Sequence, residues 1–173
     1  TIQFSDYEIF QENSSWNVIS DLDTILITIP FPKRTSVDLL KNRFENISSF
    51  IKGFKNQLFI MSSIGIYPQV EMEIRENTLE EQLLNSNILF VEKLMKRNFP
   101  QINILRLGGL MGGDRILSKY KVSNPDQTVN HIHYEDICMI IERMIIKDSK
   151  SKIYNVVAPF HPTKQEIINY QKG

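Results

Sequence analysis

The stretch Leu58-Phe59-Ile60-Met61-Ser62-Ser63-Ile64-Gly65-Ile66-Tyr67 decides the fold. Four apolar residues in a row give way at once to two serines, and a glycine and a tyrosine follow. A short continuous apolar run closed by small polar residues reads as a strand buried on both faces, the kind found in parallel sheets. In open α/β sheets, ligands and reacting groups gather just beyond the carboxyl ends of such strands. Ser62 and Ser63 fall at that end.

Upstream, the β-branched run at residues 24–29 predicts a second buried strand, which Pro30 and Pro32 end. Between the two strands, Val37, Leu40, Phe44, Ile47 and Ile51 recur at steps of three and four. That spacing predicts a helix over 36–52 with one apolar stripe, stopped by Gly53. Strand, helix, strand is a parallel crossover. Downstream, residues 68–77 form an irregular acidic loop. Thr78 with Glu81 is a capping box that predicts a helix over 78–98, whose buried stripe is Leu84, Ile88, Val91 and Met95.

Pro100 closes that helix, and residues 102–107 give a third strand. Gly108, Gly109, Gly112 and Gly113 make the next loop flexible and let backbone approach a ligand closely. A short extended piece at 129–133 leads into a helix over 134–146, then a strand over 152–157. Thr163 with Glu166 opens a last helix through a second capping box. Residues 1–4 read as a short strand, and 7–20 as a polar stretch with a short helix. Alternating strands and helices predict a doubly wound parallel sheet, Rossmann-like, in one domain over 1–173.

Composition narrows the function. Lys and Arg total 20 against 20 Asp and Glu, so no bulk field attracts nucleic acid or an anionic membrane. The one cysteine, Cys138, excludes an internal disulfide, fits a reducing compartment and is expected to be buried as a small hydrophobe. No apolar run approaches the roughly 20 residues of a membrane-spanning helix, which sets the expectation of a soluble cytoplasmic protein.

Five segments carry a family resemblance. They are the strand ending in Ile29-Pro30, the Ser62-Ser63-x-x-x-Tyr67 strand end, the run from Ile104 to Gly112, Val129-Asn-His-Ile-His-Tyr-Glu-Asp136, and Ile153-Tyr-Asn-Val-Val-Ala-Pro159. In order and spacing they resemble an atypical group of the extended short-chain dehydrogenases/reductases, the nucleoside-diphosphate-sugar epimerase-like proteins. The resemblance implies NAD or NADP as cofactor, a nucleotide-sugar or similar alcohol or carbonyl substrate, and transient oxidation by hydride transfer. It implies Ser63 as the catalytic serine and cofactor contacts at Ile29, Pro30, Ser62, Gly108 and Leu110. It also implies a homodimer built on the helices expected at 36–52 and 78–98.

Two departures qualify this. The family opens on a strand, a glycine-rich turn and a helix that hold the cofactor pyrophosphate. All seven glycines here lie at Gly53 or later, and none forms that turn. The family's first strand sits beside the equivalent of residues 24–29, so the expectation is an N-terminally truncated fold with an exposed apolar edge and weak cofactor binding. Members also use a Tyr-x-x-x-Lys pair as proton donor and pKa-lowering partner. Between Gln82 and Val91 there is neither Tyr nor Lys. An epimerase-like oxidoreductase with a degenerate site is one reading; a non-catalytic Rossmann-like nucleotide-binding or regulatory protein is the other.

The remaining candidates are substrate contacts. Tyr67 corresponds to a loop tyrosine that either packs the loop or meets substrate. Arg115 could pair with a substrate phosphate through its planar fork or stay solvated. Ser63 could orient a substrate oxygen or only cap local backbone. His133 resembles the family's histidine in its loop. His131 and His133 share one face of an extended segment, but a metal site wants three or four ligands and no further His or Cys stands near, so no metal is expected.

Overall fold

The computed structural model describes residue 19 and residues 21–172, so the strand expected at 1–4 and the short helix expected within 7–20 lie outside the described residues. Four strands form a parallel sheet: β1 (Thr24–Ile27), β2 (Gln57–Ser63), β3 (Asn103–Leu107) and β6 (Ile153–Val156), in the order β1-β2-β3-β6. A separate parallel pair joins β4 (Gly109–Met111) to β5 (His131–His133). The helices are α1 (Val37–Phe50), α2 (Ser86–Asn98), α3 (Tyr134–Ile146) and α4 (Lys164–Lys172).

The two-residue period of a strand explains the layers. Leu58, Ile60 and Ile104 face one side, where they join Leu40, Phe44 and Ile47 of α1 and Ile88, Val91 and Met95 of α2 in one buried cluster. Phe59, Leu105 and Leu107 face the other side and pack with Ile137, Ile141 and Met144 of α3. Helices therefore cover both faces, as a doubly wound sheet requires. Among the described residues no strand pairs with the outer side of β1, and Leu26 there is 42% exposed.

Local chemistry sets most boundaries. The Ser36 side chain accepts from the Leu39 N–H and caps α1, while Gly53 follows that helix at φ +87°, a conformation in which a Cβ is strained. The Thr163 box forms as expected: the Glu166 carboxylate accepts from the Thr163 N–H at 2.7 Å, and the Thr163 hydroxyl accepts from the Glu166 N–H at 3.2 Å. The backbone and side-chain hydrogen bonds of Thr163 hold the Glu166 carboxyl below the usual carboxylate range.

Three expectations are corrected. The helix expected from Thr78 starts eight residues later at Ser86, capped by the Asn85 side chain, which accepts from the Ile88 N–H at 3.2 Å. Thr78 instead accepts from the Arg75 N–H at 2.8 Å, and Glu81 begins a short 3₁₀ turn, Glu81–Leu83, and pairs with Lys93. Val37 leaves the α1 stripe and is 44% exposed, while Arg43 is buried and donates to the Pro30 carbonyl at 3.0 Å. Cys138 is exposed, because Ile137, Ile141 and Met144 occupy the core-facing positions of α3 and the next residue along turns outward. No helix among the described residues is long and apolar enough to cross a membrane.

Candidate functional site

At the carboxyl ends of β2 and β3 the alternation brings two polar residues side by side. Ser62 and Arg106 are register partners, and both lie on the face covered by α2. There they meet Glu92, on the same helical face as Ile88 and Met95. The Arg106 guanidinium donates to Glu92 through Nε at 3.1 Å and Nη2 at 2.7 Å, the two-pronged geometry of a strong arginine–carboxylate pair. The Ser62 hydroxyl donates to Glu92 Oε1 at 2.6 Å. Arg106 and Glu92 are 4% and 3% exposed, so this pair is shielded from water.

The network continues outward. Arg106 Nη1 donates to the Tyr67 hydroxyl at 2.7 Å, and that hydroxyl donates to Asn155 Oδ1 at 2.7 Å. The guanidinium carbon also lies 5.3 Å from the Tyr67 ring centroid. Burial alone lowers the pKa of Arg106. The Glu92 carboxylate, by hydrogen bond and charge, and the Tyr67 oxygen outweigh it, and the net shift is upward.

Beyond the network opens a cleft of about 1550 Å³. Its walls come from Gly65 and Tyr67 after β2, from residues 68–74, from β4, from Arg115 and residues 126–131, and from Asn155, Val157 and His161 around β6. The structure thus brings Tyr67, Leu110 and Arg115 into one wall system. Ile29, Pro30, Ser62, Ser63, Gly108 and His133 are not among the lining residues.

The surroundings of the last four explain why. The Ser62 side chain points to α2 and serves Glu92, so its hydroxyl is engaged in the core. Ser63 is exposed at the strand end, and its Oγ accepts from the Gly65 N–H at 3.0 Å, capping the turn Ile64–Ile66. That bond uses Oγ as an acceptor, which leaves the hydroxyl hydrogen able to donate. Gly108 sits against protein backbone: a Cβ there would lie 3.0 Å from the Asn130 carbonyl oxygen and 3.2 Å from the His131 Cα. Its smallness lets β4 and β5 close together. His133 caps α3, its Nδ1 accepting from the Glu135 N–H at 3.3 Å, and a Cβ on Gly112 would lie 2.3 Å from His133 Nε2. Among the described residues no group of three His, Cys, Asp or Glu could hold a metal ion.

The sequence reading missed Glu92, Arg106, Asn155 and Glu76. A signal for the first two was present. Arg106 interrupts the apolar run 102–107, and Glu92 stands four residues after Ile88 on the buried stripe of its helix. Opposite charges on two faces that pack together predict a pair.

No family model matches the chain. It is 26% identical over 166 residues to protein YeeZ of Escherichia coli K12, an alignment covering 91% of this chain and 61% of YeeZ. Among solved structures, ADP-L-glycero-D-manno-heptose-6-epimerase of Helicobacter pylori matches with a TM-score of 0.70 at 14% identity, over 97% of this chain and 63% of that one. UDP-glucuronic acid 4-epimerase of Bacillus cereus, in complex with UDP-glucuronic acid and NAD, matches with a TM-score of 0.70 at 17% identity, over 92% of this chain and 62% of that one. The fold is that of the nucleotide-sugar epimerases. The chain thus spans less than two thirds of the length of each of these relatives. Between Gln82 and Val91, the stretch without Tyr or Lys, Leu84 packs against the core and Ile88 is 2% exposed.

Proposed function

We propose that this chain forms the substrate-facing part of an NAD(P)-dependent epimerase- or dehydratase-like oxidoreductase acting on a nucleotide sugar, with a degenerate proton-transfer site. The observation that carries the reading is the cleft at the strand ends. At about 1550 Å³ it exceeds the roughly 300–1000 Å³ of ordinary small-ligand pockets, as an extended nucleotide sugar beside a nicotinamide ring requires. Arg115 in its wall supplies a fork suited to phosphate.

The residues fit only part of the cofactor. Gly109, Leu110 and Met111 line the cleft and suit the nicotinamide end, while the sequence holds no glycine-rich turn for the pyrophosphate. When bound, NAD(P) supplies the hydride acceptor. This chain's own contribution is to hold the substrate and to present the Ser63 hydroxyl at the end of β2.

Calorimetric titration tests the reading. UDP-glucose or UDP-glucuronic acid is expected to bind this chain with a Kd in the ~1 μM–1 mM range usual for enzyme substrates, while NAD(H) and NADP(H) bind far more weakly. No heat from any nucleotide sugar would sink it. Where turnover is measured, Ser63→Ala is expected to lower it by roughly 10- to 1000-fold, as removing a positioned donor does, with a stability change of at most ~1 kcal/mol. Turnover indifferent to this change would leave Ser63 as a cap alone.

Assembly is part of the same reading. α1 and α2 pack against each other, and α1 still shows Val37 and Leu39 to solvent at 44% and 37% exposure. We expect these two helices to meet their copies in a homodimer. Sedimentation equilibrium that shows only monomer at high concentration would exclude it.

A further inference from the structure

One wall of the cleft has no regular secondary structure. Residues 68–74 line it, and Val70 and Met72 show large apolar side chains at 51% and 52% exposure. Such a segment has no ladder to hold its shape, and apart from an exposed Arg75–Glu73 pair its anchoring bonds lie at its two ends. Both ends lead to the same pair of strands. At the start, the Tyr67 hydroxyl bridges Arg106 of β3 and Asn155 of β6. At the far end, the Asn155 N–H donates to the Glu76 carboxylate at 2.6 Å, Asn155 Nδ2 to the Ile74 carbonyl at 3.4 Å, and Arg106 Nη1 to the Glu76 carbonyl at 3.4 Å.

We propose that Arg106, Tyr67 and Asn155 act as positioning residues, a clasp that fixes the 68–76 segment as the cleft wall against which the substrate is held. The inference rests on the reading of the cleft as a nucleotide-sugar site. The chemistry supports a division of labour. Glu92 neutralises Arg106 inside the core, so the guanidinium is rigidly placed before its outer nitrogen reaches Tyr67. Register does the rest, because Arg106 and Asn155 are paired neighbours on β3 and β6. The clasp therefore transmits the rigidity of the parallel sheet to a segment with no ladder of its own. Val70 and Met72 are then held open for the apolar faces of a bound base or sugar.

The test uses Tyr67→Phe, which keeps the ring over the guanidinium and the Glu92 pair intact but removes the bridging oxygen. Amide hydrogen exchange of residues 70–76 is expected to rise about tenfold, with β2, β3 and α2 unchanged. UDP-glucose affinity is expected to fall about tenfold in parallel. Asn155→Leu should reproduce both effects, Asn155→Asp should fall between wild type and Asn155→Leu because it keeps the acceptor for Tyr67 but loses the donor to the Ile74 carbonyl, and Tyr67→Phe with Asn155→Leu should be little worse than either alone. Unchanged exchange at 70–76, a rise spread over the whole sheet, or losses that simply add would overturn the clasp. So would a loosened segment with unchanged affinity. If the wild-type chain itself fails to bind UDP-glucose, the substrate reading falls and takes the clasp's part in recognition with it, while the exchange comparison alone decides whether the wall is held this way.

Discussion

Glu92→Leu is expected to cost about 3–5 kcal/mol, a large share of the roughly 5–15 kcal/mol that holds a domain folded. The carboxylate is 3% exposed and accepts three bonds: two from Arg106 and one from Ser62. Removing it leaves a guanidinium inside the sheet–helix interface with no countercharge and no water. Arginine cannot shed its proton to escape, so the penalty falls on the fold. The companion expectation separates the pair's attraction from the cost of orphaning one member. Glu92→Leu with Arg106→Met should recover most of the loss, because two apolar side chains of similar volume need no desolvation. Urea midpoints of the single and double variants check this. A single-variant loss under about 1 kcal/mol would mean that Arg106 reaches solvent once released.

The sheet was legible because its strands are short apolar runs broken by glycine, proline and serine, and the runs at 24–29, 58–61, 102–107 and 152–157 fell where strands are found. Helices with a side-chain cap and a clean stripe were legible too. Thr163 caps where the sequence places it, the helix expected over 36–52 is found at Val37–Phe50 with Ser36 as its cap, and α3 has the expected bounds. The start of α2 was not legible, because Thr78-x-x-Glu81 satisfies the capping pattern while the chain uses Thr78 to close a turn onto Arg75 and lets Asn85 cap instead. What decides between them is tertiary: the Asn85 N–H donates to the Ile66 carbonyl at 2.7 Å, a contact between segments that no local pattern contains. The same limit applies to the site. Two adjacent serines look alike in sequence, but alternation sends Ser62 to Glu92 and leaves Ser63 at the rim. The cleft wall at 68–76 depends on bonds to Arg106 and Asn155, about 30 and 80 residues away in the chain.

Phe44→Ala is expected to cost about 3–5 kcal/mol, whereas Val37→Ala, on the same predicted stripe, should cost under about 0.5 kcal/mol. The sequence treats the two alike, since both lie on the three- and four-residue spacing of α1. The structure separates them by environment. Phe44 has no exposed surface and meets the Phe31 ring edge-on, with centroids 5.3 Å apart and planes at 87°, within the cluster that joins α1 to α2 and the sheet. Truncation there removes a ring's worth of buried area and leaves a cavity that the α1–α2 contact cannot collapse to fill. Val37 follows the Ser36 cap at the first turn of the helix and is 44% exposed, so its removal strips little surface from water-free packing. Phe44→Leu places the intermediate case, losing volume but keeping a branched apolar filler, and should fall between the two. Equal losses for Phe44→Ala and Val37→Ala would show that Val37 is covered in solution, which the expected contact between α1 helices of two chains would produce, and repeating the comparison at low protein concentration would separate that contact from an error in the packing of α1.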